Sequence, residues 1–171
     1  MAKPIHNTIK QALHTAEGLY HRLVLLVGPS GTGKTAALQA IAKEYDTAII
    51  NVNLTLAKGL LELTEKRRAL RVPEILDRLA RQTGPLVILD NLEILFDMSL
   101  QQDPLRLLQG VSRNQTVVAS WNGTMHANQL LYAEIGHPEY RTYEHADAVM
   151  VPMHDSPITT SDNNNQQAER V

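Results

Sequence analysis

The chain has 171 residues, a formal net charge of −2 at pH 7 and no cysteine. That length suits one compact domain able to bury about 70% of its unfolded surface. The charge balance excludes a protein that coats DNA by bulk positive charge. The absence of cysteine excludes disulfide frameworks and cysteine-based zinc sites, and agrees with a reducing cytoplasm.

The N-terminal stretch MAKPIHNTIKQ lacks the apolar core of a signal peptide, and no apolar run reaches the ~20 residues of a membrane span. A cytoplasmic protein without membrane contact is expected. Apolar positions at Ile5, Ile9, Leu13, Ala16 and Leu19 predict an amphipathic helix over 5–19. RLVLLV, 22–27, is a continuous apolar run, as expected of a strand covered on both faces. GPSGTGKT follows, then the helical pattern TAALQAIAKEY. TAIINVN, 47–53, reads as a second strand, and residues 54–71 as helical. Pro73 suits the first turn of another helix, PEILDRLARQ, which Gly84-Pro85 stops. LVILD is the third strand. Asp103 is the expected N-cap of a short helix from Pro104 to about Val111.

TVVASW, 116–121, is the fourth strand, with Trp121 read as a packing anchor at the sheet edge. QLLYAEI and AVMVPM are further strand candidates, separated by GHPEYRTYEHAD, read as an irregular loop. Residues 1–154 are expected to form the single domain, and the polar tail 155–171 to be disordered. Strands alternating with helices predict an α/β fold, a mostly parallel central sheet of about five strands with helices on both faces.

Gly28-Pro29-Ser30-Gly31-Thr32-Gly33-Lys34-Thr35 matches G-x-x-x-x-G-K-[ST] in full, between a predicted strand and a predicted helix. The glycines let the loop wrap so that backbone N–H groups point at phosphates, and the next helix turns its positive end to the same anion. Lys34 is expected at the β- and γ-phosphates and the Thr35 hydroxyl on Mg²⁺. Asp90 ends an apolar strand, where a second Mg²⁺-side carboxylate of such sites belongs; an aspartate capping the next turn is the alternative. ATP and Mg²⁺ are therefore the expected ligands.

Hydrolysis needs a positioned water, and Asn91 stands where a water-activating glutamate often follows the aspartate. Asn91 can hydrogen-bond water but cannot take its proton. Glu93 is the only nearby carboxylate before Asp97 and is the candidate base, provided that the chain turns sharply after Asp90; a solvated surface glutamate is the alternative. VVASWN resembles the sensor strand of AAA+ ATPases, which implies Asn122 as the polar sensor, with Ser120 second. The same resemblance makes Arg141, before the last strand, a candidate arginine finger toward a neighbouring subunit, with Arg113 its rival. Few residues follow AVMVPM, so the helical lid of those enzymes is not expected.

At closer range VGPSGTGKTAALQAIA, LDNLEILFD, QDPLRLLQGVSRN and YAEIGHPEYRTY resemble the small P-loop protein of type-three bacteriophage-exclusion (BREX) defence systems, from about Leu23 to Val151. The resemblance implies an ATPase-like part of an anti-phage complex, acting beside a larger ATPase and a DNA methyltransferase.

Lys66, Arg67, Arg68, Arg71, Arg78 and Arg81 invite a DNA contact, yet Glu62 and Glu65 stand beside them, Glu62–Lys66 has i,i+4 spacing, and no aromatics interleave. A solvated helix face is the expected reading. His137 and His145 match no zinc template. Three readings follow: an ATPase subunit of that defence complex, with a homo-oligomer left open; a nucleotide-dependent switch or adaptor that hydrolyses little or not at all; and, ranked last, a small-molecule kinase.

Overall fold

A computed structural model describes residues 4–154; the tail expected to be disordered, 155–171, lies outside them. The elements run α1 (Ile5–Glu17), β1 (Leu23–Gly28), α2 (Lys34–Glu44), β2 (Ile49–Asn51), α3 (Val52–Leu60), α4 (Glu65–Thr83), β3 (Leu86–Asp90), two 3-10 turns (Glu93–Phe96 and Met98–Leu100), α5 (Pro104–Val111), β4 (Thr116–His126), β5 (Gln129–Tyr132), β6 (Arg141–Glu144) and β7 (Val149–Pro152). Five strands form a parallel sheet in the order β2-β3-β4-β1-β7. β4 thus lies between the strand that precedes the glycine-rich loop and the strand that ends in Asp90. Two registers set the functional end of the sheet: Gly28 lies beside Asn122, and Asn51 beside Asp90.

The continuous apolar runs of β1, β3 and β4 serve two cores at once, because alternate side chains point to opposite faces. Leu23, Leu25 and Val27 face α3, α4, α5 and the Glu93–Phe96 turn. Val24 and Leu26 face α1 and α2, against Ile9, Leu13, Leu38 and Ile41. Helices therefore cover both faces, as expected.

The parallel sheet has the expected five strands, and among the described residues two further strands extend it. Beyond the parallel sheet β4 continues and pairs antiparallel with β5, and β5 with β6. Gly123 permits that continuation: a Cβ there would stand 1.8 Å from the Leu131 carbonyl oxygen. β6 falls inside the segment read as an irregular loop. Its four residues carry no apolar alternation that would mark a strand, and its pairing partner, β5, supplies the order. Trp121 is not at a sheet edge. It sits in the central strand β4, 1% exposed, with its indole N–H donating to Leu131 O at 3.0 Å.

The helical region 52–83 also differs from expectation. Val52 and Asn53, read as strand, open α3, whose N-cap Asn51 accepts from Leu54 N. The 54–71 helical reading is broken at 61–64. Glu62 lies in that break, so its spacing to Lys66 brings no helical pairing. Thr64 caps α4, accepting from Arg67 N at 3.4 Å. Pro73 does not start a helix but sits inside α4. A proline there leaves the carbonyl four residues back without its helical donor. The Gln102 side chain supplies one, donating from Nε2 to Ala69 O at 2.7 Å and also to Leu100 O at 2.6 Å. The basic residues of α4 are mostly exposed, with Arg71 paired to Glu74 and Arg81 to Asp77.

Candidate nucleotide site

The loop from Gly28 to Gly33 leaves β1 and enters α2 with Gly33 at φ 86°, a left-handed conformation open to glycine at low cost. Thr32 Oγ1 donates to Pro29 O at 2.8 Å and closes the loop on itself. Lys34 is the first residue of α2 and only 5% exposed. Its ammonium donates to Gly28 O and Pro29 O, both at 2.6 Å. Burial lowers the Lys34 pKa below the usual lysine value, and the charges of Asp90 and Glu93 oppose that shift. A cation kept close to two carboxylates in a partly dry loop is ready to exchange carbonyl partners for phosphate oxygens.

Asp90 is also 5% exposed. Its Oδ2 accepts from Thr35 Oγ1 at 2.8 Å, and its Oδ1 from Ser120 Oγ at 2.6 Å and from Asn91 N at 3.0 Å. The hydroxyl of Thr35 and the carboxylate of Asp90 are hard oxygen donors at one point of the pocket, the donor chemistry Mg²⁺ takes. The pair fits that ion.

After Asp90 the chain turns sharply. Asn91 adopts φ 55°, and the next residues coil into the Glu93–Phe96 turn instead of continuing as strand. The turn brings Glu93 into the pocket that Ser30, Gly31, Gly33, Lys34, Thr35, Asp90, Asn91 and Asn122 also line. Two amides hold its carboxylate. Asn53 Nδ2 donates to Oε2 at 2.7 Å, and Asn122 Nδ2 donates to Oε1. Asn53 in turn is fixed on both sides, accepting from Ile94 N at 2.7 Å and donating its own N–H to Asn91 O at 2.8 Å.

Lys34, Thr35, Asp90, Glu93 and Asn122 are thus gathered in one pocket, with Asn91 beside them and Ser120 on Asp90. Asn53 has no role in the sequence reading, although it lies two residues past Asn51, which ends a strand beside Asp90. Arg141 does not line the pocket. It opens β6, ahead of the last strand β7, and its Nη2 donates to Gln102 O at 2.9 Å. Among the described residues its Nε, buried, has no partner. Arg113 lies at the other end of β1, where its carbonyl accepts from Arg22 and its guanidinium rests over Tyr20, 5.3 Å from the ring centre. His137 caps a local turn, its Nδ1 accepting from Glu139 N. Among the described residues, no group of three or more His, Asp or Glu side chains is placed to hold a metal.

A glycine-rich loop at the carboxyl end of one strand, with a carboxylate ending a strand two places away across an inserted strand, defines a P-loop NTPase of the additional-strand kind. The sequence profile of the ATPase family associated with various cellular activities (AAA) matches residues 24–122, more than half of the chain. The chain belongs to that family, whose members bind ATP. Comparison with curated proteins gives no match. Among solved structures, PCH-2 of C. elegans is 16% identical at a TM-score of 0.49, covering 88% of this chain and 42% of its own. A DNA replication initiation factor is 19% identical at 0.48, covering 86% and 44%. AMPPCP-bound DnaA from Aquifex aeolicus is 19% identical at 0.44, covering 71% and 40%. The chain spans less than half the length of each. Among the described residues no helix is long and apolar enough to cross a membrane, and none follows β7.

Proposed function

We propose that this chain binds ATP with Mg²⁺ at the Gly28–Thr35 loop and hydrolyses it, with Glu93 as the base. Lys34 would meet the β- and γ-phosphates, and Thr35 and Asp90 would hold the metal, which when bound neutralises charge on the phosphates. Glu93 would accept the proton of a water whose oxygen bonds to the γ-phosphorus as the bond to the bridging oxygen breaks. Asn122, in β4 beside Gly28, would sense the γ-phosphate through its amide. The observation that carries this reading is the carboxylate of Glu93 lining the same pocket as Lys34, Thr35 and Asp90.

A second reading is a nucleotide-dependent switch with slow turnover. It is favoured by the two amides on Glu93, one on each carboxylate oxygen, which hold the carboxylate in place and compete with a water for its lone pairs. We further propose that the protein is a cytoplasmic component of an anti-phage complex of the BREX type, working beside a larger ATPase and a methyltransferase; the sequence resemblance over Leu23–Val151 supports this. Calorimetric titration with ATP·Mg²⁺ tests the first step. Lys34→Ala should remove binding while leaving thermal unfolding cooperative, and a folded variant with retained affinity would overturn the reading.

A further inference from the structure

We propose that Tyr132, remote in sequence from the pocket, is the positioning residue that sets where Glu93 stands. The inference rests on the reading of Glu93 as the base.

Glu93 and Phe96 are the first and last residues of one 3-10 turn. At about 2 Å of rise per residue they are roughly 6 Å apart along it, joined by a rigid coil. The pocket end of the turn is held by Asn53 and Asn122. The other end is held by an aromatic stack: the rings of Phe96 and Tyr132 lie 3.4 Å apart between centres and 7° from parallel. Phe96 is 1% exposed and Tyr132 7% exposed, so the stack is inside the core. Trp121 closes it edge-on, 5.2 Å from Phe96 and 6.0 Å from Tyr132. Tyr143 edges Trp121 at 5.9 Å and is itself pinned, its hydroxyl donating to Asp103 Oδ1 at 3.0 Å.

The two anchors of the turn therefore share one support. Asn122 directly follows Trp121 in β4, and Tyr132 pairs across from Gly123 on β5. Any shift of β5 against β4 moves the floor under Phe96 relative to the amide on Glu93. The phenol of Tyr132 is pushed up to about 12 by burial first, then by the charges of Glu93 and Glu139, which places it within the field of that carboxylate. Among the described residues the Tyr132 hydroxyl makes no hydrogen bond, so the ring, not the hydroxyl, is the working part. Displacements near 1 Å at a catalytic group cost about 100-fold in rate. Loss of the stack should therefore be read in turnover before affinity.

The experiment compares wild type, Tyr132→Phe, Tyr132→Leu and Glu93→Gln for ATP·Mg²⁺ affinity, KM and kcat. Tyr132→Phe should match wild type within about twofold throughout. Tyr132→Leu should keep affinity and KM within about threefold while kcat falls about tenfold or more. If Tyr132→Leu does not fold, Tyr132→Met, which fills the same space without a ring, is held to the same criteria. Wild-type kcat in the ring-less variant, or affinity and kcat falling together, would overturn the proposal. Glu93→Gln separates the two failures. If it turns over like wild type, the base assignment is wrong; if it is dead while the ring-less variant keeps wild-type kcat, only the positioning role is wrong.

Discussion

Gln102 is predicted to substitute for a hydrogen bond that Pro73 removes from α4, and the two residues should be energetically coupled. Replacing Gln102 by alanine deletes the bonds to Ala69 O and Leu100 O, at 2.7 and 2.6 Å. At about 1 kcal/mol net per bond the loss should be about 2 kcal/mol. In a domain of this size that lowers the melting temperature by roughly 4–8 °C. Pro73→Ala restores a backbone N–H that can donate to Ala69 O within the helix. In that background Gln102→Ala should cost about 1 kcal/mol less, because one of the two acceptors keeps a partner. Urea unfolding of the four proteins reads the coupling directly. Additivity within about 0.3 kcal/mol would refute the idea that Gln102 fills the proline gap.

Other outcomes follow from the same geometry. Tyr132 and Tyr143 are both held at about 12, each chiefly by burial, against 10.0 in an unfolded chain. The native state keeps protons that the unfolded state has lost, so their contribution is complete below pH 10 and is lost as pH rises toward 12. Stability should fall by on the order of 2 kcal/mol per tyrosine across that window. The Tyr132→Phe/Tyr143→Phe double variant should show a flatter slope in urea unfolding at pH 9, 10 and 11; an equally steep fall would contradict the assignment. Asn53→Ala removes one amide from Glu93 and the acceptor for Ile94 N–H. It should cost about 1–2 kcal/mol of stability and raise phosphate release per bound nucleotide severalfold at near-constant affinity. A slower release would mean that Asn53 aims Glu93 instead of restraining it.

The phosphate loop was legible because its information is local: eight consecutive residues fix backbone shape, charge and helix entry together. Asp90 was legible for the same reason, ending an apolar run. Glu93 was legible only as a conditional, since its fate depended on a backbone turn at Asn91 that an asparagine permits but does not force. Asn53 was hidden because its partner is 40 residues away and the contact depends on β2 lying beside β3. Trp121 was misplaced because a continuous apolar run marks burial on both faces but not rank within the sheet. Pro73 misled for a related reason. The local rule against proline inside a helix held until Gln102, 29 residues downstream, satisfied the carbonyl that it freed.

The central claim, that Glu93 makes this pocket hydrolytic, is tested most directly by phosphate release from ATP·Mg²⁺ measured on the wild type and Glu93→Gln at saturating nucleotide. On that claim the wild type releases phosphate and Glu93→Gln does so at least ~100-fold more slowly, with ATP still bound. Equal rates in the two proteins would contradict it.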